Sequence, residues 1–175
     1  GIVFIGSRRQ DYGEMAYALP DNVVHLETHF LYDFAPPPMV HGTKGVAHAF
    51  DRSDELHEML RQRGREVEAG DLIRELMPAL GEGGALSEDA FLYSKRAWDT
   101  ITDQYRRYCT DPSFTDYFWT VRIMHKPLWQ LVRIVDGLIP AKVYHTVSTG
   151  YAGFLGAMLR HRTGRPLLVS EHGIY

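Results

Sequence analysis

The stretch that decides the fold runs from Val143 to Gly173 and reads VYHTVSTGYAGFLGAMLRHRTGRPLLVSEHG. Lys142 to His145 and Leu167 to Glu171 are short apolar runs that suit buried strands. Between them Thr149 to about Arg162 has helical character, and Gly164 followed by Pro166 is a helix stop. Strand, helix and strand in this order predict a right-handed βαβ unit with parallel strands. Open α/β folds bind ligands at the carboxyl edge of such strands. That edge gathers His145, Thr146, Ser148, Thr149, Gly150, His172 and Gly173. The helix start adds free N–H groups and a partial positive charge, which favour an anionic or hydroxyl-rich ligand. Histidines that merely cap strand ends would produce the same pattern.

Working outward, Ile2 to Ile5 and Val23 to Leu26 read as two further strands, with a turn-rich segment between them. The fold class is therefore α/β, with a parallel Rossmann-like sheet. Pro36 to Pro38 mark 33–45 as a connector of polyproline type. A helical insertion at about 46–139 then separates the two pairs of strands. Its expected helices are Asp51–Arg63, Ala69–Leu80, one from Ser87 to about Tyr108, and one that starts at Asp111-Pro112 and restarts at Pro127. Phe91, Trp98, Ile101 and Tyr105 are expected to face inward. Tyr117, Phe118, Trp119 and Trp129 read as core.

The 175 residues suit one domain, and a hydrophobic share of 45% supports a sizeable core. A net charge of -3 without long runs of one sign excludes the electrostatic footprint of a nucleic-acid or anionic-membrane binder. A single cysteine, Cys109, excludes an internal disulfide framework, fits a reducing compartment and reads as a packing residue. No stretch is long and apolar enough for a membrane span. The opening strand without an initiator Met and the stop at Tyr175 are read as marks of a piece of a longer protein.

Other constellations are weaker. His25, Glu27 and His29 alternate along a strand, with His41 beyond, and imidazole plus carboxylate can hold zinc. A solvated or loop-contacting face explains the same alternation, and no metal is expected. Arg8 and Arg9 follow a strand end, where guanidinium groups can reach a polar ligand. Glu171 is expected to pair with Arg160 or Arg165. Glu58 and Glu66 match a Glu-x7-Glu spacing but fall along and past a helix, so the match reads as accidental. Gly-x-Ser-x-Gly, Walker A and Gly-x-Gly-x-x-Gly patterns do not occur.

Val143 to Gly156, followed by Thr163-Gly164-Arg165-Pro166 and Ser170 to Tyr175, resembles the N-terminal half of GT-B glycosyltransferases of family 4. Within these it is most similar to the PelF-type enzymes of Pel exopolysaccharide synthesis. Phe4 to Arg9 and Leu19 to Glu27 extend the resemblance. It implies retaining transfer from a UDP-sugar donor to a growing glycan acceptor, without a cofactor or a required metal. The cleft would lie between two Rossmann-like domains. By this resemblance His172 positions the donor sugar near the reacting centre and His145 lines the same cleft. Ser148, Thr149, Gly150, Gly173, Arg8 and Arg9 are the accompanying substrate-binding residues.

The resemblance also implies a cytoplasmic enzyme tied through partners to an inner-membrane polysaccharide synthesis complex. Its Gly-rich first loop would precede Gly1, and its C-terminal nucleotide-sugar domain would follow Tyr175. Residues 1–175 are then a partial N-terminal, acceptor-side domain, inactive alone. Two other classes compete: a protein-interaction module built on Asp51 to Gly137, and a metal-dependent hydrolase using His25, Glu27, His29 and His145.

Overall fold

The computed structural model describes residues 1–7, 18–32, 46–110 and 113–173. The expected connector at 33–45 and the helix start at Asp111-Pro112 lie outside the described residues. The fold is mixed α/β, with helices dominant.

Strand β1 (Ile2–Gly6) pairs in parallel with β2 (Leu26–Phe30), Ile2 opposite Leu26 and Gly6 opposite Phe30. The strand expected at Val23–Leu26 is thus displaced toward the C-terminus. The reason is a turn: the Val23 N–H donates to the Pro20 carbonyl at 2.9 Å, and pairing begins only where the His25 carbonyl accepts from Ile2 N–H at 2.8 Å. Val24, whose side chain suggested a strand, is 86% exposed.

The helical segment follows its periodicity but not all of its end signals. Helix α1 (Ala47–Arg61) begins ahead of Asp51 and has no side-chain cap. Phe50, in its first turn, is 1% exposed and stacks on Phe91 with ring centroids 5.8 Å apart. Burial of that ring extends the helix past the capping residues Asp51 and Ser53. Helix α2 (Glu66–Leu76) gives way to a 3₁₀ turn at Met77–Leu80, where Pro78 lacks the N–H an α-helix would use.

The single helix expected from Ser87 to Tyr108 is two, α3 (Glu88–Tyr93) and α4 (Lys95–Tyr108). Ser94 breaks them with a ψ of 160° and caps α4, its Oγ accepting from Ala97 N–H at 3.0 Å. Helix α5 (Phe114–His125) is capped by Ser113, and α6 (Pro127–Gly137) restarts at the expected proline. Trp129 is 2% exposed and donates its indole N–H to the Leu86 carbonyl at 2.9 Å. Trp98 and Trp119 are instead half exposed, contrary to the expectation of core. Among the described residues, no helix is long and apolar enough to cross a membrane.

The terminal unit forms as expected, with shorter strands. Strand β3 (Tyr144–Thr146), helix α7 (Gly150–Thr163) and β4 (Leu167–Val169) make a parallel βαβ unit, and Gly164 ends α7 at φ +67°. Among the described residues, the expected single sheet is two separate two-stranded parallel sheets, β1 with β2 and β3 with β4. Both rest on one apolar core: Leu131, Ile134, Met158 and Leu159 at its centre, with Val3 and Ile5 from one sheet and Tyr144 and Leu167 from the other. A second core, around Phe50, Leu72 and Leu86, holds α1 and α2 together.

Leu131 has no exposed surface, so Leu131→Ala should lower the unfolding free energy by about 2–5 kcal/mol through lost transfer energy and a cavity. Ser94→Ala should cost about 1 kcal/mol through the lost cap. Urea denaturation followed by circular dichroism measures both.

Candidate functional site

The βαβ edge is built by close packing of α7 on its two strands. A Cβ added at Gly156 would come within 2.7 Å of a Leu167 methyl and 2.9 Å of the Thr146 methyl, so only glycine lets the helix lie this close. At the other end of the approach, Gly150 opens the helix at φ +63°, in the left-handed region, with nothing near its missing side chain. The N-cap residue Thr149 supplies no side-chain cap, and the Ser148 hydroxyl donates to the Thr149 carbonyl instead of to the helix. The first N–H groups of α7 therefore keep their capacity to meet a ligand anion or hydroxyl.

His145 lies in the middle of β3, exposed, with its Nε2 2.9 Å from the Ser170 Oγ. Its register partner is Leu168, so His172 stands four residues further along and not at an equivalent place. At about 3.3 Å per residue that stagger amounts to roughly 13 Å of extended chain. His172 is exposed and has no hydrogen-bond partner among the described residues. Glu171 does not pair with Arg160 or Arg165; its carboxylate accepts from Gly173 N–H at 3.2 Å, folding the chain at the end of β4. Next to His145, the Thr146 Oγ1 is buried without a partner among the described residues. Arg8 and Arg9 lie outside the described residues.

Tyr151 anchors the first turn of α7 toward the helical layer, donating its hydroxyl to the Met124 carbonyl at 3.1 Å. Burial, helped by a hydrogen bond with Tyr32, pushes this phenol up to about 12. It stays protonated and serves as a fixed donor.

His25, Glu27 and His29 do meet on one face of the β1–β2 ribbon. One Glu27 oxygen lies 2.6 Å from His25 Nε2, and the other lies 2.9 Å from His29 Nε2. The hydrogen bond from His29, then that from His25, holds the Glu27 carboxyl below its usual range. His145 is not part of this cluster, since it belongs to the other sheet and bonds Ser170. Among the described residues no three His, Cys, Asp or Glu side chains form a metal-holding group.

A further grouping escapes sequence reading because its members sit on different helices. His57 of α1 and His125 of α5 bring their Nε2 atoms within 3.1 Å at a cavity of about 400 Å³ that Phe50, Phe91, Trp98 and Phe118 also line. Each Nδ1 donates to a carbonyl four residues back, Ser53 and Val121, at 2.7 Å. The Nε2 contact is then a hydrogen bond only when one of the two rings carries a second proton. Burial holds His125 below the ordinary imidazole range. A histidine on a helix, able to bond back to the carbonyl four residues earlier, is the only sequence signal for such a pair, and it is weak.

These features define an α/β domain whose strand edge offers imidazoles, hydroxyls and an uncapped helix start to a polar ligand. By comparison with known families, the chain belongs to the family described as a domain of unknown function, DUF3492, which matches residues 1–175. No curated protein and no solved structure matches it.

Two outcomes follow from this geometry. Gly150→Ala should cost about 1–2 kcal/mol in thermal or urea unfolding, because an L residue is strained at that backbone angle. His125 binds a proton less readily folded than unfolded, so stability should be full above its ordinary value of 6.5 and fall as pH drops below it. His125→Phe, which preserves the ring stack, should shrink that acid-side loss when urea midpoints are compared above and below that pH.

Proposed function

We propose that this chain is the acceptor-side, Rossmann-like half of a retaining GT-B glycosyltransferase of the PelF type, which transfers a sugar from a UDP-sugar to a growing exopolysaccharide. The observation that carries the reading is the β3–α7–β4 edge. There an uncapped helix start and the Ser148 hydroxyl stand at the carboxyl ends of two parallel strands, with His145 one residue inside the end of β3. That is where an open α/β sheet takes a polyhydroxyl or anionic ligand. The matching family is associated with glycosyltransferases, which supports the same class.

In this reading His172, exposed and without a partner among the described residues, contacts the donor sugar and orients it in the transition state. His145, Ser148, Thr149, Gly150 and Gly173 line the sugar-binding wall, and Arg8 and Arg9 are the remaining substrate-binding candidates. The nucleotide is held by a second domain of the same protein, so residues 1–175 are inactive alone. Positioning both reactants supplies much of the rate in such a cleft, and half of it cannot do so. The reaction needs no metal. The enzyme works in the cytoplasm, held by partners to a polysaccharide synthesis complex at the inner membrane.

A second reading is favoured by one observation. Trp119, Ile123 and Met124 on α5 are each more than half exposed and form an apolar face on the helical segment. In this reading the stretch Asp51 to Gly137 docks the enzyme onto its complex.

The decisive assay gives the full-length protein UDP-hexoses and UDP-hexosamines together with a glycan acceptor. Turnover should persist in chelator, and His172→Ala should lower kcat/KM about a hundredfold. Wild-type turnover by that variant removes the role given to His172, and loss of activity in chelator overturns the metal-free reading. Trp119→Asp combined with Ile123→Asp should leave turnover intact and abolish assembly with the complex in co-purification. Unchanged assembly would remove the docking reading.

A further inference from the structure

Helices α1, α3, α4 and α5 enclose the cavity of about 400 Å³ at which His57 meets His125, and among the described residues no strand contributes to its walls. Phe50, Phe91, Trp98 and Phe118 give it flat ring surfaces. Trp98 and Met124, 51% and 60% exposed, stand at its mouth. Small-molecule sites have this character: about 300–1,000 Å³, mostly apolar, set between helices, with a few polar groups that converge.

Three polar groups in the walls have bonding capacity to spare. Arg122 makes no ion pair among the described residues. One of its N–H groups donates to the Leu92 carbonyl, and the guanidinium lies over the Tyr93 ring at 4.5 Å and the Phe118 ring at 5.1 Å. A guanidinium carries several N–H donors in a fork, so donors remain for a carboxylate. The Nε2 atoms of His57 and His125 are 3.1 Å apart and the ring centroids 5.3 Å, so the rings point end to end and only an added proton joins them. A negative charge nearby favours that proton. His125 follows Arg122 by about one turn of α5, which places both on one face of the helix. The Thr100 Oγ1, also in the wall, is buried without a partner among the described residues. A buried hydroxyl calls for one.

The other charges around the cavity are already engaged. Asp54 lies 3.5 Å from Arg96. Arg61 lies 3.3 Å from Glu58 and donates to Gln104 at 2.7 Å. Arg122 is thus the cation in the wall that lacks an acid. A cationic ligand would be repelled there, and a wholly polar one would lose its hydration against the rings. A flat apolar body can stack on them or meet them edge to face.

We propose that this cavity binds a small aromatic carboxylate, with its negative head toward Arg122 and the His57–His125 pair and its ring among Phe91, Trp98 and Phe118. The inference stands on the helical segment and not on glycosyl transfer, so a failed transferase assay leaves it untouched.

The test titrates the full-length protein with 2-naphthoate in a calorimeter. One molecule should bind per chain with a Kd of about 1 mM or tighter. Neutral 2-naphthylmethanol, which keeps the ring, and octanoate, which keeps the charge, should each bind at least about tenfold more weakly. Arg122→Gln should weaken naphthoate by a similar factor, and Arg122→Lys, which restores the charge, should recover part of the loss. The comparison of acid with alcohol needs no variant, so it decides the matter even where Arg122→Gln fails to fold. No binding of naphthoate, equal affinity for the alcohol or for octanoate, or unchanged affinity in a folded Arg122→Gln variant overturns the proposal.

Discussion

The packing of α6 against α7 is the constraint on which the rest of the structure depends. Leu131 and Ile134 from one helix and Met158 and Leu159 from the other are all almost fully buried. Neither sheet could bury its inner face alone, since a two-stranded ribbon offers too little apolar area to be stable by itself. The helical pair gives both ribbons one surface to sit on. The same helix α6 reaches the second core through Trp129, whose ring lies against Phe91 and whose indole N–H holds the Leu86 carbonyl. Helix α6 thus ties the helical segment to the sheet layer, helped by Met77 and Leu80 against the same core and by the Tyr151 bond to Met124.

The candidate site inherits its precision from that packing. Gly156 lets α7 sit against Leu167 and Thr146, and this fixes where the helix start emerges relative to His145. The polar groups follow two different rules. On the β1–β2 ribbon, one carboxylate grips two imidazoles and is itself held ionised by them. At the β3–β4 edge, the helix start, the Thr146 hydroxyl and His172 have side chains or N–H groups to spare. A satisfied cluster stabilises, whereas one with spare donors and acceptors recognises. That contrast directs the functional reading to the second edge, even though the first has the denser array of titratable groups.

Much of this was legible from local chemistry. Pro127 and Gly164 start and stop helices because a ring and a missing Cβ act on the backbone at their own positions. Ser87 was legible as a cap for the same reason, and so was the alternation that places Glu27 between two histidines. The misplacements share a cause. Ser94 divides a helix whose apolar spacing runs on without interruption, and α1 starts ahead of its capping residues because Phe50 finds Phe91 on another helix. The strand expected at Val23 was shifted by a turn at Pro20 and by its register with β1. The symmetry assumed for His145 and His172 failed in the same way, since register is decided by pairing and not by position within an apolar run.

By itself, then, the sequence determined the α/β character, the βαβ unit at the C-terminal end, the helical segment before it and the chemical inventory of the strand edge. These rest on periodicity, on turn residues and on groups that act within a few positions of themselves. Only the tertiary structure decided that the strands form two ribbons and not one sheet, and that His57 meets His125 across 68 residues. Hydrogen-bond pairing and side-chain packing between distant segments depend on which surfaces meet, and no local pattern encodes that.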